Sequence, residues 1–166
     1  KKDADKLFNH MVYPVGNPKF PFLGVHFTRM INGEKEVGPN AVLAFKREGY
    51  RNSDISVKDM VDYLTYSGFL SFVGKNFKFC LNEFSTSFLK SSFLKKTQKL
   101  IPEIRSKDIN KGPAGVRAQG IDTNGDLMMD FNVITEGKQI HVINAPSPAA
   151  TCSLSIADYI IDSYIN

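Results

Sequence analysis

Three kinds of site in this sequence can do chemistry: a histidine able to exchange a proton, an arginine able to hold an anion, and a polar turn ahead of a helix able to receive a ligand. His26 stands in the strand-like run Phe22-Leu23-Gly24-Val25-His26-Phe27-Thr28-Arg29. Alternation puts it on one face with Thr28, with Phe27 and Arg29 on the other. Imidazole gains and loses a proton near neutral pH, so His26 is a candidate base. The ordinary alternative is a strand histidine bonded to a backbone carbonyl. Arg117 follows Gly115 and Val116 in a short predicted strand, residues 115–119, and precedes Ala118. Burying its charge among small apolar neighbours requires an anionic partner, either a structural carboxylate or a substrate. The third stretch is Asn144-Ala145-Pro146-Ser147-Pro148-Ala149-Ala150-Thr151. Ser147 suits a helix N-cap and Pro148 the first helical position. The small Ala149 and Ala150 would let a ligand approach the positive end of a helix dipole. An ordinary tight turn fits the same spacing.

Other patterns carry less. Asp122, Asn124 and Asp126 are spaced like the first ligands of a calcium loop, but Leu127 replaces the required glycine and Val133 the closing glutamate. The stretch reads as a turn. The three histidines are dispersed and give no metal spacing. Cys80 and Cys152 form no C-x-x-C and read as free thiols in a reducing, intracellular setting. No phosphate loop, nucleophile elbow or G-x-G-x-x-G fingerprint occurs.

These residues need elements to hold them. The chain has 166 residues, 42% hydrophobic and 23% charged, with 13 Phe and no Trp, so it can bury a core in which Phe dominates. Strand signals at residues 11–15, 22–29 and 36–45, with an Asn32-Gly33 turn, predict an antiparallel sheet. Ser56 and Asp59 open a predicted helix that Gly68 ends or bends. A second helix carries Phe77, Leu81, Phe84 and Phe88 as a core stripe and stops near Ile101, ahead of Pro102. A strand at 140–143 leads to a last helix with Leu154, Ile156, Ala157, Ile160 and Ile161 on its apolar side. The expected fold is α+β: a mixed, largely antiparallel sheet with covering helices. Net charge is +4, too small an excess to indicate nucleic-acid binding. Lys75, Lys78, Lys90, Lys95, Lys96 and Lys99 read as a solvated helix face. No apolar run approaches a membrane-spanning length.

Three long strings occur in register across nearly the whole chain. They are residues 13–15 with 20–30 and 38–50; Gly112-Pro113-Ala114-Gly115-Val116-Arg117-Ala118-Gln119; and Asn144 through Thr151. Together they resemble L-2-hydroxyglutarate oxidase/dehydrogenase, in the D-amino-acid-oxidase-like flavoprotein superfamily. The resemblance implies a substrate-binding domain over residues 1–111 and, over 112–166, the last strands and C-terminal helix of an FAD domain. It implies FAD as cofactor, a small dicarboxylate as substrate, and oxygen or a membrane quinone pool as electron acceptor. A cytoplasmic location follows, peripheral on the inner membrane, or alternatively mitochondrial. In that reading His26 is the catalytic base. Arg117 clamps the substrate carboxylate, and Thr28 and Asn40 face the substrate. Gly115, Val116 and residues 144–151 line the flavin.

The family's dinucleotide fingerprint belongs to the N-terminal part of a longer chain and is absent from these 166 residues. A C-terminal part is therefore expected, one that binds FAD weakly or not at all on its own, does not turn over, and self-associates or is partly disordered near 112–119 and 144–151. The competing expectations are a non-catalytic interaction domain, or a sister flavoenzyme acting on an amino acid or glycerol phosphate. The string at 144–151 speaks against the sisters, which carry a glycine-rich segment there.

Overall fold

A computed structural model describes residues 6–16, 18–38, 41–146 and 148–165. Asn40 and Ser147, both given roles above, lie outside them. The element order is β1 (His26–Arg29), β2 (Lys35–Gly38), α1 (Val57–Leu64), α2 (Ser67–Lys75), α3 (Phe77–Phe88), α4 (Lys90–Thr97), β3 (Asn132–Glu136), β4 (Gln139–Asn144) and α5 (Ser153–Tyr164). The α+β class holds, but the single mixed sheet does not. There are two separate two-stranded antiparallel sheets, β1–β2 and β3–β4, and no parallel pair among the described residues.

The first hairpin turns at Gly33, whose φ of 85° is the left-handed geometry such a turn needs. Its register pairs His26 with Gly38 and Thr28 with Glu36. Val12 bridges Phe27 on the other side of β1 through mutual backbone bonds of 3.0 and 2.9 Å. The predicted strand at 11–15 is thus reduced to one bridge, and residues 41–45 add no strand. Phe27 is the centre of a small core with Ile101 and Ile104, flanked by Phe8, Val12, Val37 and Leu94. Phe8 meets Phe27 edge to face at 5.0 Å. The core therefore fastens the hairpin to the chain that follows α4.

The two expected helices are four. Ser56 does cap α1, accepting the Asp59 N–H at 3.2 Å. Gly68 does not end that helix. It sits buried in the first turn of α2, where its missing side chain admits the Asp122 carbonyl and the Tyr66 ring. The break falls one turn earlier, at Thr65, whose hydroxyl bonds back to the Val61 carbonyl at 2.7 Å, and at the extended Tyr66. The long second helix is interrupted at Asn76 and again at Leu89, which is extended at φ −109° and ψ 109°.

The Phe stripe of α3 is not core. Phe77 is 61% exposed, Leu81 60% and Phe88 53%, and of the stripe's four residues Phe84 alone is half-buried, near Phe45. The face that turns inward carries Phe79, Glu83 and Thr86, one helical stripe further round. Phe79 stacks on Phe20 at 4.1 Å. Glu83 accepts from Lys96 of α4 at 2.6 Å, and Ser85 meets Ser92 at 3.0 Å. Lys96 is therefore part of a helix–helix contact rather than of a solvated face. The apolar side of α5 is likewise unburied.

Candidate active site

His26 and Thr28 lie half-buried on the face of β1 opposite the buried Val25 and Phe27, as alternation requires. His26 Nδ1 stands 2.9 Å from the Gly24 carbonyl oxygen. Its ring stacks on Tyr13, centroids 5.1 Å apart and planes within 21°. The bridge between Val12 and Phe27 explains the stack, because it places residue 13 across from residue 26.

Arg117 corrects the sequence reading. Residues 111–118 form no strand and are exposed, so the guanidinium is not a buried charge in need of a carboxylate. It donates from Nη1 to the Pro21 carbonyl at 3.1 Å and lies over the Phe22 ring at 5.5 Å. Both anchors precede His26 by only a few residues. Gly112, at the head of the same segment, faces Glu36, the register partner of Thr28. The segment 112–117, with Gly115 and Val116 in it, thus runs beside the hairpin that carries His26. His26 and Thr28 share one face of that hairpin, and Arg117 is tied to Pro21 and Phe22 just ahead of it in the chain.

The described residues of 144–151 make other contacts. Asn144 closes β4 and donates to the Asp130 carbonyl at 2.7 Å. Pro148 is not the first residue of a helix. It opens a turn in which its carbonyl accepts from Thr151 N at 3.0 Å and Cys152 N at 3.1 Å, and α5 begins only at Ser153, with Cys152 at the cap. Ala149, Ala150 and Thr151 ride on this turn, with Ala145 and Pro146 before it. No hydrogen bond or ring contact among the described residues links 144–151 to His26 or Arg117. The sequence alone did not reveal Tyr13, Gly24 or Phe22 as neighbours of these groups, although all three fall within the strings that carry the resemblance.

The other polar motifs are structural. Asp122 Oδ1 accepts from Asn124 N at 2.9 Å and Asp126 N at 2.8 Å, which makes it the hub of a turn. Those backbone donors, Asp126 first, hold its carboxyl below the usual carboxylate range against the opposing effect of burial. Cys80 and Cys152 are free thiols, and burial pushes the Cys80 thiol up. Surface depressions of about 180 Å³ beside Phe20, Phe72 and Lys75, and about 560 Å³ between Lys138 and Tyr164, contain none of the predicted site residues. Among the described residues no helix is long and apolar enough to cross a membrane.

No family model matches the chain. The sequence that builds this fold and site is matched in relatives of one class, dehydrogenases of a 2-hydroxy acid, among them the three named below. They are named L-2-hydroxyglutarate dehydrogenase, and this chain is homologous to a segment of them along nearly its whole length. It is 49% identical over 94% of its length to the protein of Indibacter alkaliphilus and 45% identical over 96% to that of Escherichia coli strain K12. It is 49% identical over 98% to the Bos taurus protein, whose name also marks it as mitochondrial. The chain spans 36% to 39% of the length of these relatives.

Proposed function

We propose that this chain is the part of an L-2-hydroxyglutarate dehydrogenase that holds the substrate and takes its hydroxyl proton. The observation that carries this reading is 45–49% identity, over nearly all the chain, to proteins of that name. The site geometry agrees with it. His26 is the base that receives the proton as C2 is oxidised, and a ring half-buried on a strand suits that task. Arg117 clamps a carboxylate of the dicarboxylate. Its bond to the Pro21 carbonyl uses Nη1, and the guanidinium fork has further N–H groups for a bidentate grip. Thr28 shares the face of His26 and orients the hydroxyl, and Asn40 completes the substrate contacts.

FAD, when bound, supplies the two-electron acceptor for the C2 hydrogen. The residues fit its ring edge in one respect: Ala149, Ala150 and Thr151 are small and lie before α5, and Ala150 and Thr151 are exposed. Asn144, Ala145, Pro146, Ser147 and Pro148 would shape the same edge, and Gly115 and Val116, both exposed, would line the flavin from the Arg117 segment. No G-x-G-x-x-G occurs among the 166 residues, so the pyrophosphate grip is assigned to other parts of the protein that carries this segment.

Substrate preference tests the reading. The protein carrying this segment is expected to form 2-oxoglutarate from L-2-hydroxyglutarate and to reject 2-hydroxy acids with a single carboxylate. Equal turnover of a monocarboxylate would remove the dicarboxylate assignment.

A further inference from the structure

We propose that Gly24 and Tyr13 are positioning residues that fix the tautomer and ring plane of His26, so that Nε2 is the atom that takes the proton. The proposal rests on His26 being the base of the reaction above. Nδ1 lies 2.9 Å from the Gly24 carbonyl oxygen. A carbonyl can only accept, so Nδ1 must carry the hydrogen. A neutral imidazole has one N–H, and Nε2 is then left with the lone pair.

Gly24 is built for this bond. Its φ is +74°, a backbone geometry that other L residues adopt only at a cost. Nothing lies within 4 Å of where a Cβ would stand, so the glycine answers a need of conformation and not of space. That conformation brings its carbonyl within reach of the ring two residues on.

Tyr13 supplies the second constraint. The hydrogen bond sets the rotation of the ring within its plane, and the stack at 5.1 Å sets the plane. Tyr13 is 44% exposed, so the contact is not core filling. Its hydroxyl bonds Met11 Sδ at 3.0 Å, so the ring alone makes the stack. With both constraints the Nε2 lone pair has one direction, away from Gly24. As the C2 hydrogen passes with its electron pair to the two-electron acceptor, a flavin in the reading above, the hydroxyl proton goes to Nε2 and a carbonyl remains on C2. The imidazolium so formed keeps its Nδ1–H on Gly24.

Nitrogen NMR of the full-length protein labelled with ¹⁵N-histidine reads this directly, at a pH where the ring is neutral. Nδ1 of His26 is expected to resonate as the protonated nitrogen and Nε2 as the bare one. Gly24→Ala should spread the proton over both nitrogens, and Tyr13→Ala should broaden the ring signals while Tyr13→Phe preserves them. Both damaging variants should lower kcat about three- to tenfold, the worth of one hydrogen bond, with little change in KM. A wild-type ring protonated at Nε2, or variants that move neither tautomer nor kcat, would overturn the proposal. A correct tautomer together with a His26→Gln enzyme of full activity would overturn the role of His26 as base and leave the lock itself supported.

Discussion

His26 and Arg117 differ in how much of their setting the sequence could convey. For His26, alternation along a strand was enough to place it with Thr28 and against Phe27. A bond from the ring to a backbone carbonyl was the ordinary reading of such a histidine, and the structure has it at Gly24. Which carbonyl, and the stack on Tyr13, were not legible, because they depend on a positive φ and on a bridge to a distant segment. For Arg117 the neighbours were read as a strand, and the structure shows an exposed loop tied down by Pro21 and Phe22. Short runs of small residues do not distinguish the two, since Gly and Ala have weak strand preference. The correction affects magnitude. An exposed clamp is partly hydrated, so Arg117→Lys is expected to cost about 1.5–3 kcal/mol in kcat/KM, the range for one charge-assisted hydrogen bond. Steady-state kinetics measure it. A lysine variant within twofold of wild type would place the clamp on another residue.

At the scale of elements, turns and caps were legible and breaks were not. Ser56, Gly33 and the Asp122 turn behave as their residue types dictate. The interruption at Leu89 carries no Gly or Pro, so no local signal announced it. The Phe stripe of α3 has helical period, but period alone does not say which face is covered, and here the Glu83–Lys96 pair decides. Gly68 marks the α2 contact with the Asp122 turn. Gly68→Ala would press a methyl into the Asp122 carbonyl and to 2.6 Å from the Tyr66 ring. A loss of about 1–3 kcal/mol in denaturant unfolding is expected, the usual cost of overpacking. The acid side of stability belongs here too. The backbone N–H of Asp126 lowers the Asp122 pKa, and the backbone N–H of Arg47 lowers that of Asp59. A carboxyl lowered in the folded state stabilises above its unfolded pKa and loses that effect as pH falls through the folded one. Asp122→Asn should therefore flatten the fall of Tm on acidification below the ordinary carboxylate range. An unchanged slope would mean the turn does not couple to folding.

Taken whole, the molecule buries little. Among the described residues the buried hydrophobics are Val25, Phe27, Ile101 and Ile104, while Phe77, Leu81, Leu154 and many others stand open. Phe27→Ala should cost about 3–5 kcal/mol, because the hairpin that carries His26 is fastened through that ring. Exposed apolar faces on α1, α3 and α5 lead us to expect that these 166 residues, expressed alone, self-associate and do not oxidise L-2-hydroxyglutarate. Sedimentation velocity would show a monomer if that is wrong. The α+β class was legible from strand and helix signals. The separation into two small sheets was not, because pairing between distant strands leaves no local trace in a sequence. The central claim is that this chain supplies the base for oxidation at C2. It is tested most directly by anaerobic stopped-flow reduction of the flavin by L-2-hydroxyglutarate in the full-length protein, wild type against His26→Gln. A fall in the reduction rate of about 10²–10⁴-fold, with flavin still bound, is expected. A His26→Gln protein reduced at the wild-type rate would contradict it.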